Sequence, residues 1–337
     1  VLSTVYKSND RRRLETPSDV GRRGAAMFGF MTRIHANRSA RTSATMAALA
    51  GTIVVSGTAG GAAARQAQGS VPVFHQDVSW APDGRRVAYS ALRNSEWHLF
   101  VADVASGTST QETTGSAADQ WTTWAPDNRH LAYASKPPNG QADIYVIDVD
   151  ASGDPTRLTL AAGVRNTEPA WSPDGREIAF VSKRDNEHQQ VWLMNADGSN
   201  QHRATNLPVN VEMPNWSPDG RRLVFYTDAG DGKDQIWTAN YDGSDPINVT
   251  HDTGHHIYPA WSGADRLVFS TIDASDVPSP MIARSDGTDR QPLVPEHAFF
   301  ARLSPDGTHL ALLIGKYPSN AVTLCDRSGA ACQVIQP

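Results

Sequence analysis

The stretch Pro169-Ala-Trp-Ser-Pro-Asp-Gly-Arg-Glu-Ile-Ala-Phe-Val-Ser182, followed by Gln190-Val-Trp-Leu-Met-Asn-Ala-Asp-Gly198 and closing at Ala204-Thr205, decides the fold. Its centre recurs. Trp171-Ser-Pro-Asp-Gly175 is matched by Trp80-Ala-Pro-Asp-Gly84, Trp124-Ala-Pro-Asp-Asn128, Trp216-Ser-Pro-Asp-Gly220, a degraded Trp261-Ser-Gly-Ala-Asp265 and Leu303-Ser-Pro-Asp-Gly307. The six copies stand 44, 47, 45, 45 and 42 residues apart, and self-similarity at such a period marks a solenoid or a propeller.

Each copy reads as four short strands. The first ends at the Trp, and Ser-Pro-Asp-Gly then reverses the chain: Pro presets φ, Asp suits the second corner, and Gly accepts the left-handed position. Asn128, where the second copy lacks Gly, is the next best left-handed residue. The second strand is apolar at nearly every position, as in Ile178–Val181 and Leu223–Tyr226, so both its faces are expected to be covered. The third strand runs into Asp-Gly or Ser-Gly, a hairpin signal. A short polar fourth strand ends at Thr114, Thr159, Thr205 or Thr250. Four antiparallel strands per repeat predict an all-β, six-bladed propeller, with blades over about 75–114, 119–159, 166–205, 211–250, 256–294 and 297–337.

The Trp-Ser-Pro-Asp-Gly run leading into Ile-Ala-Phe, the Ile/Val-Trp/Tyr third strand and the Asp-Gly turn resemble the propeller repeat of the TolB family (PD40 repeats, WD40-like), whose namesake belongs to the Tol system of the bacterial envelope. The resemblance spans roughly residues 71–337. It implies a periplasmic propeller that binds proteins. TolB carries an α/β domain ahead of its propeller, for which the short run Ala64–Trp80 leaves no room, so the resemblance is to the propeller alone. The same repeat serves the non-catalytic propeller of prolyl-oligopeptidase relatives and a few lyases.

Residues 1–64 stand apart as a leader, and 65–74 as a linker. Arg11-Arg12-Arg13, Arg22-Arg23, Arg33, Arg38 and Arg41 precede an apolar segment at about 46–59 and the small residues Ala62-Ala63-Ala64. Basic region, short apolar region and Ala-x-Ala site in that order describe a secretory signal peptide; a retained membrane anchor is the alternative. The leader holds nine of the 30 Lys and Arg and three of the 36 Asp and Glu, leaving 21 basic against 33 acidic residues, a formal −12. An acidic remainder argues against nucleic acid and anionic membrane surfaces as partners. The only cysteines, Cys325 and Cys332, flank a hairpin turn in the last blade, where facing positions allow a disulfide in an exported protein.

The Pro-Asp-Gly and Asp-Gly turns are nearly uniform and read as scaffold on one face. The opposite face carries the irregular loops, the usual place for binding on a rigid frame. First strands are innermost in propellers, so residues shortly before each Trp are expected at the channel mouth: His75, Asp77, Asp119, Trp121, Asn166, Glu168, Glu212, His255, His256, Tyr258 and His297. His75, His256 and His297 come from blades one, five and six and could hold a divalent transition metal. Oligogalacturonate lyases, with a related propeller, hold a metal largely by histidines at such a place. The alternative is a wet channel lined by polar groups. Glu168 and Glu212 with Asp77 could serve as acid and base, or be solvated rim carboxylates. Arg93, Lys136, Lys183, Arg184 and Lys316 follow second strands, where a basic residue reads as ordinary repeat composition.

No Gly-x-Ser-x-Gly elbow, phosphate-cradling loop or His-Glu-x-x-His occurs, which removes the commonest hydrolase, nucleotide and metalloprotease readings. The expectation is an exported, periplasmic or extracellular, monomeric propeller. It would act without catalysis or cofactor, binding an envelope protein, a polysaccharide or a peptide. The competing expectation is a metal-dependent carbohydrate-active enzyme with its site in the channel mouth.

Overall fold

The computed structural model describes residues 74–160, 163–184, 188–228, 233–272, 278–294, 298–316 and 319–335. The expected leader, and the expected linker up to residue 73, lie outside the described residues. Six sheets of four antiparallel strands each follow one another along the chain. Their innermost strands are Phe74–Trp80, Ala118–Trp124, Asn166–Trp171, Asn210–Trp216, His255–Trp261 and Ala298–Leu303. In every sheet the strands pair in chain order from inner to outer, so each blade is complete in itself.

The second strands explain why the ring forms. Leu223 to Thr227 and Leu131 to Ser135 are buried without interruption, because each strand is covered on both faces by neighbouring blades. The apolar core is accordingly divided into six clusters, one per seam. Ala132, Ile144, Phe180 and Trp192 pack blade two against blade three, and Val211, Phe225, Leu193 and Val191 pack three against four.

Closure of the ring uses the same packing. Val78, Tyr89 and Phe100 of blade one meet Phe300, Leu313 and Val322 of blade six, and Trp80 Nε1 donates to Arg302 O at 3.1 Å. The Cys325–Cys332 disulfide joins facing residues of the third and fourth strands of blade six. It fastens the last strand to its own blade and does not cross the closing seam.

The reversals after the inner strands behave as their residues dictate. Gly84, Gly175, Gly220 and Gly307 have φ between 69° and 72°, and Asn128 takes the same conformation at 62°. A Cβ at Gly175 would come within 2.9 Å of Pro126 in the preceding blade's turn, so the glycine serves both the turn and the stacking of turns. Fourth strands are short, and a Thr just beyond them caps the third: Thr159, Thr205 and Thr250 accept from the N–H of Ile144, Val191 and Ile236. In blade one that Thr is Thr113, which accepts from Leu99 at 3.0 Å, one residue earlier than the sequence suggests.

Candidate functional site: the channel wall

The inner strands are not regular. Each pairs with its second strand through a register shift, the mark of a β-bulge that re-aims the side chains beyond it. Counting back from the terminal Trp, the third residue in blades two to five is Trp121, Glu168, Met213 and Tyr258. All four have left-handed φ, between 53° and 63°. Non-glycine residues pay a steric cost there, so something must hold them.

In blades two, four and five a charged residue of another blade does the holding. Asp77 of blade one accepts from Thr122 N of blade two, next to the Trp121 bulge, and from Ser90 N at 2.8 Å and the Ser90 hydroxyl. Glu168 of blade three accepts from Met213 N, the bulge of blade four, at 2.7 Å. Arg302 of blade six donates to Tyr258 O, the bulge of blade five, at 3.1 Å, with its guanidinium 3.9 Å over the Phe300 ring. Glu212 closes the seam between blades three and four, accepting from Gln189 Nε2 at 2.9 Å and from the Tyr226 hydroxyl at 2.5 Å.

Burial sets the electrostatics. Desolvation raises the Asp77 and Glu168 carboxyls despite the hydrogen bonds they accept. Glu212 is pushed up to about 8, first by burial and then by the neighbouring Glu168. The same burial lowers the Arg302 guanidinium to about 9, with the Asp77 charge acting in the opposite direction. The cavity that Asp77, Glu168 and Arg302 line, with Ser79, Thr123 and Asn215, measures about 70 Å³. That is room for a few water molecules, far below the roughly 300–1,000 Å³ of a small-molecule pocket.

The expected site residues therefore divide into three groups. Asp77, Trp121 and Glu168 line the channel, while Glu212 and Tyr258 stand behind its wall. His75, Asp119, Asn166 and His256 lie five residues before the Trp, and the bulge turns them into the seams. His75 is buried between blades one and six on Asn320, its Nδ1 at 3.0 Å from Asn320 O, and desolvation lowers its pKa. His256 is held by Asp252 at 2.8 Å and Thr271 at 2.9 Å, likewise lowered by burial, and its N–H bonds Asp234 O of blade four. His255 pairs with Asp234 at 2.6 Å. His75 and His256 thus occupy seams two blades apart and do not converge. His297 lies outside the described residues. Among the described residues no group of three or more His, Cys, Asp or Glu is placed to hold a metal.

Arg302, Met213 and Phe300 belong to the channel and escaped the sequence reading. Arg302 lies one residue before the end of the inner strand, nearer the end than any expected residue; Met213 and Phe300 stand three residues before it, as Asp77, Trp121, Glu168 and Tyr258 do, but carry no polar group to point to a site. A signal for Arg302 was present: at the residue just before the terminal one, the other blades have Ser79, Thr123, Ala170, Asn215 and Ala260, and only blade six has a charge.

Comparison with known proteins agrees with this architecture. The TolB β-propeller domain model (PD40) matches residues 50–262 and 161–294. A solved structure described as a TolB candidate from Agrobacterium tumefaciens is similar at 25% identity, over 70% of this chain and 88% of that one, with a TM-score of 0.60. TolB from Acinetobacter baumannii is similar at 17% identity, over 77% of this chain and 62% of its own, also with a TM-score of 0.60. An oligogalacturonate lyase in complex with manganese shares the fold at 13% identity and a TM-score of 0.56, over 77% of each chain. No curated protein sequence matches the chain. Six complete blades, the repeated Trp-Ser-Pro-Asp-Gly turn and the family match over most of the propeller make this chain a member of the TolB β-propeller domain family.

Proposed function

We propose that this propeller is a non-enzymatic binding module of the cell envelope, exported by its leader, which engages a protein partner at the mouth of the channel. One observation carries the reading. Asp77, Glu168 and Arg302, the charged groups that meet in the channel, are each bonded to a neighbouring blade's bulge, around a cavity of only about 70 Å³. Acid–base work needs a group free to exchange a proton with substrate, and these groups instead hold the ring's inner strands in shape. A rigid ring with a nearly filled centre offers its rim and loops to a partner.

Site-specific photocrosslinking in intact cells of the host tests the proposal. A photoreactive residue at Gln76 or Gln120, on the inner strands near the mouth, is expected to capture one discrete envelope protein; the same residue at Asp174, on the opposite turn face, captures none. Equal capture from both faces contradicts the proposal. So does metal-dependent cleavage of acidic oligosaccharides by the purified full chain.

A further inference from the structure

A second cavity, of about 460 Å³, opens away from the channel at the head of blade one's outer strands. Its walls are Arg93, Asn94, Glu96, Gln111, Thr114 and Gly115, with the buried His98 as floor. What distinguishes it is visible by comparing the blades.

His98 is the third residue of the third strand, Glu96–Asp103, just before Leu99, whose N–H bonds Thr113. The same position is Asp143 in blade two, Gln190 in blade three and Gln235 in blade four, before Ile144, Val191 and Ile236. Each of those three residues is fully engaged. Asp143 accepts from Thr159, Asn166 and Arg157. Gln190 accepts from Thr205 and donates to the carbonyls of Leu207 and Val209 in the link to the next blade. Gln235 accepts from Thr250 and donates to Gly254 O. These bonds draw the link down over the head of the seam.

Blade one has a link of the same length as blades three and four, from Thr113 to Ala118 against Thr205 to Asn210 and Thr250 to His255, but an imidazole replaces the Gln. His98 Nδ1 is buried with no hydrogen-bond partner, and so is Oδ1 of the adjoining Asp119. Buried polar atoms without partners are uncommon, and each calls for an explanation. The link residue Gly115, equivalent to Leu207, has φ 98°, and a Cβ there would meet nothing within 4 Å. Above this floor, Arg93 packs its guanidinium 5.7 Å over the Phe100 ring and joins no ion pair among the described residues. Glu96, its cross-strand partner, stands 3.6 Å from His98 Nε2.

We propose that this cavity binds a small zwitterion, an α-amino acid, with the carboxylate on Arg93 and the ammonium on Glu96, beside the imidazole and the exposed link backbone. Both charges lie at one opening, which a simple anion or cation would leave half unmatched. The opening admits a ligand of that size, which is smaller than the drug-sized molecules held by pockets of roughly 300–1,000 Å³. The site is separate from the channel mouth and does not depend on the role proposed for it.

The test is titration of the full chain with each of the twenty standard amino acids, read by isothermal calorimetry and by the His98 imidazole signals in NMR. Acetate and methylammonium serve as single-charge probes. At least one amino acid is expected to bind and to shift the His98 signals, with both single-charge probes weaker by about tenfold or more, the ratio that one lost charge contact of about 1.4 kcal/mol gives. Arg93→Gln should weaken binding by a similar factor. His98→Gln should abolish it, because the Gln of blades three and four would draw the link over the cavity; that variant keeps the repeat's own residue and is expected to fold. No binding by any amino acid overturns the proposal, as does acetate binding equally well, or affinity unchanged in both variants.

Discussion

The turn face and the channel wall of this propeller use one chemical device, a carboxylate that accepts backbone N–H groups, in two different media. On the turn face, Asp174, Asp219 and Asp306 accept from the N–H two residues on and from the Ser hydroxyl two residues back. Those hydrogen bonds pull the three carboxyls below the usual range, Asp306 to about 2. In the channel, Asp77 and Glu168 accept comparable bonds, yet desolvation outweighs them and their pKa values rise. Hydrogen bonding decides the protonation state where water remains, and burial decides it where water is excluded.

The largest effect expected from this contrast is that of Asp77→Ala. It strips the partners from the N–H groups of Ser90 and Thr122 inside the ring, at a cost of about 3–5 kcal/mol in denaturant unfolding. A cost below about 1 kcal/mol, the typical worth of one hydrogen bond, would mean that the bulge does not need its tie.

The second expectation concerns pH. Glu212 is raised from 4.5 to about 8 in the folded state, so between those values the folded protein keeps a proton that the unfolded chain has released. Stability is then fully present below about pH 4.5 and falls as pH rises toward 8. Glu212→Gln keeps a partner for the Tyr226 hydroxyl and removes the titration. The guanidinium midpoint of the wild type should decline from pH 5 to 8 more steeply than that of the variant, in which the raised Asp77 and Glu168 carboxyls still contribute; parallel curves would assign the slope elsewhere. The lowered turn carboxyls act in the opposite direction, favouring the fold above their unfolded pKa and losing that contribution as pH falls. Their exposure makes it weak.

The smallest effect is expected on the turn face itself. Asp174→Ala removes bonds to an exposed N–H that water can replace, and should cost about 0.5–1.5 kcal/mol. A loss as large as that of Asp77→Ala would erase the contrast between the two regions.

What the sequence made legible follows the same division. The six-fold repeat declared the propeller, because turn chemistry and apolar second strands are local and recur: Asn128 could be read as a left-handed residue in isolation. The facing cysteines were legible for the same reason. The channel was only partly legible. Asp77, Trp121 and Glu168 are legible from their place shortly before the Trp, but His75, Asp119 and His256 share that place, and the sequence does not show the bulge that separates the two sets. Trp121, Glu168, Met213 and Tyr258 adopt left-handed φ without being glycine, so nothing local announces the bulge. In blades two and four its tie lies in another blade, in a carboxylate 45 residues away in sequence. The polar site above His98 emerges only when the blades are compared position by position, which requires the strand registers.

Amide hydrogen exchange at Met213, compared between the wild type and Glu168→Ala, tests most directly whether the channel carboxylates are structural ties. Slow exchange at Met213 in the wild type, faster by about tenfold or more in the variant, with the amide of Phe180 in the middle of a second strand unchanged, is the predicted result. Fast exchange at Met213 in the wild type, or no difference between the two proteins, would show that Glu168 is not holding the bulge and would return it to the list of groups free to act on a ligand.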